Sequence, residues 1–214
     1  LLKNENNLLP LQCKGKIALV GPLANTKANM PGTWSVAAAS DKYNSLYESM
    51  KQSLAGKAEV LYAKGSNLMY DAQREAEATM FGRDPRSAQE LLDEALSVAS
   101  QADVIVAAVG ESSEMSGESS SRTNLEMPDA QRDLLTALKK TGKPVVLVYF
   151  AGRSTVMTWE QENFPAILNV WFGGSEAADA ICDVVFGDVS PSGKLTTTFP
   201  KNVGQIPLYY NHLN

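Results

Sequence analysis

Along the chain, short unbroken runs of aliphatic residues take turns with stretches whose apolar residues recur every three or four positions. The runs Lys16–Val20 (Lys-Ile-Ala-Leu-Val), Glu59–Ala63, 103–109, Val145–Phe150 and 166–172 are too short for helices and nearly continuous, the pattern of strands covered on both faces. Between them lie helical patterns. Tyr43, Leu46, Tyr47, Met50 and Leu54 share one face of a predicted helix over 42–54 that Gly56 ends, and Ala88, Leu91, Leu92, Ala95, Leu96 and Ala99 share one face over 87–101. A third helix starts at Pro128 and Asp129, buries Ala130, Leu134, Ala137 and Leu138, and stops at Lys139, Lys140 and Gly142. Ala177–Phe186 is a small-residue helix stopped by Gly187.

The remaining segments read as connections. Asn4 to Asn7 followed by Leu8-Leu9-Pro10-Leu11 predicts an extended connector, and Thr158–Asn163 a single helical turn. The stretch 68–86 has poor periodicity with Gly82 and Pro85, which predicts an irregular insertion. Leu195 to Phe199 alternates after Pro191-Ser192-Gly193 and predicts a last strand at a sheet edge. About six strands interleaved with helices imply an α/β fold: a three-layer sandwich with a mostly parallel sheet and helices on both faces. No internal repeat or interdomain linker interrupts it, so 1–214 reads as one domain.

Composition narrows the chemistry. Nineteen basic against 24 acidic residues leave a net charge of −5, which argues against nucleic acid or an anionic membrane as partner. No apolar run approaches the ~20 residues of a membrane span, and the opening Leu1-Leu2-Lys3 carries no signal-peptide pattern, so the chain reads as an excised piece. Cys13 and Cys182 are too far apart for a metal-ligand or redox pair, and a disulfide between them is left open. The single histidine, His212, sits in the tail, which disfavours histidine-based nucleophilic or zinc chemistry. Gly21-Pro22 follows the first strand without a dinucleotide or phosphate-loop pattern. Chemistry here falls to carboxylates.

The richest carboxylate segment is Gly110-Glu111-Ser112-Ser113-Glu114-Met115-Ser116-Gly117-Glu118-Ser119-Ser120-Ser121-Arg122, leaving the most hydrophobic run of the chain. In an open α/β sheet, loops at the carboxyl ends of strands present ligand-binding and catalytic groups. Serine and glutamate also make ordinary solvated loops, so composition alone leaves both readings open.

Three phrases carry a family resemblance: Leu1-Leu2-Lys3-Asn4-Glu5 with Leu9-Pro10-Leu11; Gly110-Glu111 leading to Glu118-Ser119-Ser120-Ser121-Arg122; and Gly187-Asp188-Val189-Ser190-Pro191-Ser192-Gly193-Lys194-Leu195 running into Thr198-Phe199-Pro200. They resemble glycoside hydrolase family three, the β-glucosidase and exo-β-glycosidase family, and Gly204 to His212 is similar to the family's segment before its fibronectin-like domain. The resemblance implies the second, α/β-sandwich domain of such an enzyme, with 1–15 as an interdomain connector and 200–214 as a C-terminal one. It implies a β-linked glucoside or oligosaccharide as substrate, no metal or organic cofactor, and a nucleophilic aspartate on a barrel domain that these residues do not include. Export to the periplasm or beyond is expected on the same ground.

Within the resemblance Glu118 matches the acid/base glutamate, and the adjacent Gly117 lets the backbone project it. Glu111 competes for that role, or binds a sugar hydroxyl, or orients Arg122; Glu114 reads as solvent-facing. Arg122 pairs with Glu111 or Glu118, or is an ordinary surface ion pair. Trp171 and Phe172 are a sugar-stacking platform or packing, Trp34 is equally undecided, and Arg153 is placed to reach a carboxylate on the barrel. Retaining hydrolysis needs two carboxyl groups about 5–5.5 Å apart, which two domains can supply. The rival readings are a non-catalytic carbohydrate-binding or docking module and a flavodoxin-like or sugar-sensing domain.

Overall fold

The computed structural model describes residues 1–209. Six strands, β1 (Lys3–Asn4), β2 (Lys16–Val20), β3 (Glu59–Ala63), β4 (Val104–Gly110), β5 (Val145–Phe150) and β6 (Ala166–Asn169), form one sheet in the order β1-β6-β5-β4-β2-β3. Every pairing is parallel except that of β1 with β6. The longest ladder joins β4 to β5, from Ile105 opposite Val145 to Gly110 opposite Phe150.

Alternation along the strands splits the core in two. Ile17, Leu19, Val106, Ala108, Val146 and Val148 face α1 (Leu46–Ser53) and α6 (Ala177–Phe186), where Leu46, Met50, Ile181 and Val185 are buried. Ala18, Val20, Ile105, Ala107, Leu147 and Tyr149 face α3 (Ala88–Gln101) and α4 (Asp129–Lys140), represented by Ala95, Ala99, Leu134 and Leu138. The sheet is therefore apolar on both sides, which is why its strands read as unbroken hydrophobic runs.

The sixth strand is not the expected one. Leu195 to Thr198 are exposed and unpaired in any ladder, and the edge beside β6 is taken by Lys3–Asn4, within the stretch expected to be connector only. Alternation reports a local preference, whereas pairing needs a free edge, and here that edge is already filled. The same opening stretch also buries Leu9 and Leu11, and Leu11 N–H donates to Val185 O at 2.8 Å. Helix α1 begins three residues after Tyr43, at a Ser45/Glu48 capping box, and Ser87/Glu90 caps α3 in the same way. Within 68–86, expected to be irregular, Ala72–Ala78 forms helix α2, capped by Asp71. The turn at Thr158–Asn163 is α5. The expected 200–214 connector is described only in part: Pro200 is buried, Val203–Gln205 makes one tight turn, and the phrase through His212 extends beyond the described residues.

Cys13 and Cys182 are free thiols, and burial pushes the Cys182 thiol up to about 12. Among the described residues no helix is long and apolar enough to cross a membrane, and no cluster of three or more potential metal ligands occurs.

One buried acid affects stability away from the loop. Glu160 on α5 is 1% exposed, 3.0 Å from an Arg132 Nη2 whose guanidinium also lies 4.3 Å from the Trp159 ring centroid. Neither Glu160 oxygen has a well-aligned hydrogen-bond donor. Burial raises its pKa from the ordinary 4.5, the Arg132 charge opposing and the Glu126 charge reinforcing the shift. The folded state therefore holds this proton more tightly than the unfolded chain. The group's contribution is most favourable below about pH 4.5 and is lost as pH rises through the folded-state pKa. Glu160→Gln is expected to gain stability relative to the parent as pH is raised from 4.5 to 8 in urea unfolding. A stability difference that does not change with pH would rule the effect out.

Candidate functional site

The acidic loop leaves the carboxyl end of β4, beside the end of β5. Its start is fixed by backbone contacts that only glycine permits: at Gly110 (φ +123°) a Cβ would lie 2.0 Å from Phe150 O. Gln131 of α4, fully buried, accepts from Gly110 N–H at 2.7 Å and donates from Nε2 to Gly110 O at 2.9 Å and Leu68 O at 3.0 Å. Glu111 N–H then donates to Phe150 O at 2.8 Å.

Glu111 is 0% exposed and held on several sides. Its Oε1 accepts from Arg122 Nη1 and lies 3.6 Å from Arg153 Nε, and its Oε2 faces Gly152 N–H at 3.4 Å. Arg122 also donates to Glu126 O at 3.0 Å. So Arg122 pairs with Glu111 and not with Glu118, and Glu111 turns inward, away from any substrate in solvent. Beside it burial pushes the Tyr149 hydroxyl above its ordinary range, and the Glu111 charge adds to the shift.

Beyond Glu111 the chain makes a tight turn at Ser113–Met115. Asn29 Oδ1 accepts from Ser113 N–H at 2.7 Å, and the Thr33 hydroxyl reaches Ser116 O at 2.5 Å and also Ser113 O. Glu114 is part-buried, with the Ser113 hydroxyl 3.3 Å from its Oε1, so it is not the fully solvent-facing residue expected. A second turn closes from Ser120 N–H to Gly117 O at 3.3 Å, with Gly117 at φ +136° and Ser119 at φ +62°. Glu118 occupies the tip of that turn and is exposed. The serines here have a use beyond solvation: Ser120 Oγ donates to Glu114 O at 2.9 Å.

Arg153 does not extend outward as expected. Its Nη2 donates to Met115 O at 2.5 Å and Ser120 O at 2.9 Å. Ser116, Gly117, Ser120, Arg122 and Arg153 line an open depression of about 460 Å³. Trp34, next to Thr33, is 74% exposed, whereas Trp171 (φ +53°) packs its ring 6.0 Å from that of Phe199. Phe172 lies against Gly32 and Gly152, where added Cβ atoms would come within 3.0 Å of its ring or Cβ.

The geometry therefore presents one solvent-accessible carboxyl group at the tip of a braced loop, at the carboxyl edge of a parallel sheet in a three-layer α/β sandwich. The chain belongs to the glycosyl hydrolase family 3 C-terminal domain, whose family model matches residues 1–214. It is 47% identical over 218 residues to a periplasmic beta-glucosidase of Salmonella typhimurium, covering 100% of this chain and 28% of that protein. It is 35% identical over 216 residues to a beta-xylosidase of Formosa agariphila, covering 98% of this chain and 28% of that protein. Among solved structures, beta-glucosidase from Listeria innocua in complex with isofagomine superposes with a TM-score of 0.81 at 32% identity, over 99% of this chain and 27% of that one. The chain thus spans little more than a quarter of the length of these relatives.

Proposed function

We propose that this chain is the second domain of a retaining exo-β-glycosidase of the β-glucosidase type, acting on terminal β-linked glucosyl residues, and that Glu118 is its acid/base. The observation that carries this is the contrast within one loop. Glu111 is buried and consumed by two arginines, whereas Glu118 is exposed at the tip of a turn whose backbone is pinned on both sides. A carboxyl group that must reach a glycosidic oxygen held on another domain has to project in this way. Glu111 and Arg122 support the loop. The nucleophile, an aspartate by family resemblance, is supplied by a barrel domain of the same polypeptide. The Salmonella relative's description as periplasmic supports export of the whole protein.

With one of the two carboxyl groups absent, the chain alone is expected to show no turnover of an aryl β-glucoside. Steady release of the aryl group by the isolated chain, abolished by Glu118→Gln, would overturn this division of labour. Calorimetry of the isolated chain with glucose separates the rival readings, because a self-contained sugar-binding module predicts saturable heat and a half-site predicts none.

A further inference from the structure

We infer that Arg153 is a positioning residue that sets the reach of Glu118 by clamping together the two strands of the loop that carries it. The inference rests on the assignment of Glu118 as acid/base. Met115 and Ser120 stand on opposite sides of Glu118 in sequence, and both carbonyls accept from the same Nη2 of Arg153. One guanidinium therefore closes the base of the turn whose tip is Glu118. Its Nε has no hydrogen-bond partner and lies 3.6 Å from Glu111 Oε1, so the buried carboxylate opposes the charge and fixes the direction of the side chain. The clamp requires close approach of the two loops. A Cβ on Gly152 would stand 1.8 Å from Ser116 Oγ and 2.7 Å from its Cβ, so only glycine lets the β5 loop lie this near. On the far side the Thr33 hydroxyl holds Ser116 O, and Ser120 Oγ ties the returning strand to Glu114 O; Arg153 adds the tie that anchors both strands to the ends of β4 and β5 and so directs the turn from Gly117 to Ser120.

A lysine can replace the charge but not the geometry. Its single ammonium sits on a flexible stem, whereas the planar guanidinium holds both carbonyls through Nη2 while a second nitrogen, Nε, faces Glu111. Displacement of a catalytic group by about 1 Å costs roughly 100-fold in rate, and that is the effect expected here.

The test uses the full-length enzyme carrying this domain, with Arg153→Ala, Arg153→Lys and Glu118→Ala compared on an alkyl β-glucoside and on an activated aryl β-glucoside. Arg153→Ala is expected to lower kcat/KM, which reports formation of the glycosyl-enzyme, about 100-fold on the alkyl substrate and far less on the aryl one, whose leaving group departs without a proton. Added guanidinium ion should restore part of the loss, and hydrogen exchange at residues 113–120 should speed up while that of β4 and β5 stays slow. Arg153→Lys, which keeps the charge should the alanine variant fail to fold, is expected to show the same leaving-group dependence and faster exchange in the same residues. Equal loss on both substrates, or unchanged exchange in 113–120, overturns the clamp. Glu118→Ala tells the two ideas apart: if it shows no leaving-group dependence the acid/base assignment fails, while the exchange measurement still decides whether Arg153 holds the loop.

Discussion

Glu118→Ala in the full-length enzyme is expected to lower kcat/KM for a β-glucoside with a poor leaving group by about 1000-fold, within the 100- to 10,000-fold range of a positioned general acid/base. The size of the effect discriminates. A surface carboxylate at an exposed turn contributes about 0–1 kcal/mol to stability through ion pairing, which cannot remove three decades of rate from a folded protein. The substrate dependence is equally specific: an activated aryl leaving group needs no proton, so formation of the glycosyl-enzyme should be nearly spared while its hydrolysis, which needs the base, becomes slow. Azide requires no general base and should relieve that second step, giving a β-glycosyl azide of retained configuration. Kinetics unchanged from the parent on the poor substrate would remove Glu118 from the chemistry and favour the non-catalytic module.

The layered architecture was legible because the sheet is buried on both faces. The runs at Lys16–Val20, Glu59–Ala63 and Val145–Phe150 coincide with strands, and most of the apolar stripes of α3 and α4 face the core as their spacing predicts, except that Ala88 is exposed, Ala137 is half-buried and Leu135 is buried beside Leu134. What failed was decided by partners rather than by local pattern. Leu195 to Phe199 has strand-like alternation but joins no ladder, while Lys3–Asn4, polar and flanked by Leu2 and Glu5, takes the edge of β6. Residues Ala72–Ala78 carry no apolar stripe, but Asp71 accepts from Gln73 and Arg74 N–H at 3.0 Å, and buried Glu75 accepts from Leu68 N–H at 3.0 Å. That helix is held by polar contacts a hydrophobicity pattern does not register.

At the loop, sequence located the segment but not its wiring. Gly117 before Glu118 marked the projecting acid, and the tip of the turn is where the structure places it. The inward turn of Glu111 and the return of Arg153 depend on β4 and β5 ending side by side, a relation between residues about 40 apart. Gln131 was overlooked although a signal existed: it is the one polar residue among Ala130, Leu134 and Leu138 on the buried side of α4, and a buried amide there needs partners. It finds them at Gly110 and Leu68.

Glu111→Gln is expected to destabilise the domain by about 3 kcal/mol, the lower end of the cost of removing one member of a buried ion pair. The amide fits the same space, so lost packing is minor, but its single oxygen can take over only one of the two positions, Oε1 accepting from Arg122 or Oε2 facing Gly152 N–H. What changes is that Arg122 and Arg153, with side chains 17% and 26% exposed, face each other without the carboxylate between them. At 2–4 °C per kcal/mol for a domain of this size, the melting temperature should fall by roughly 6–12 °C. Glu114→Gln, which disturbs only a 3.3 Å contact with the Ser113 hydroxyl, should melt within about 0.5 kcal/mol of the parent. Coupling Glu111→Gln with Arg122→Met tests the cause, because removing one of the two unopposed guanidiniums should recover part of the loss if uncompensated charge is responsible. Melting of Glu111→Gln alongside the parent would instead mean that the loop is held without the buried charge, the Gln131 and Thr33 side chains on its backbone being sufficient.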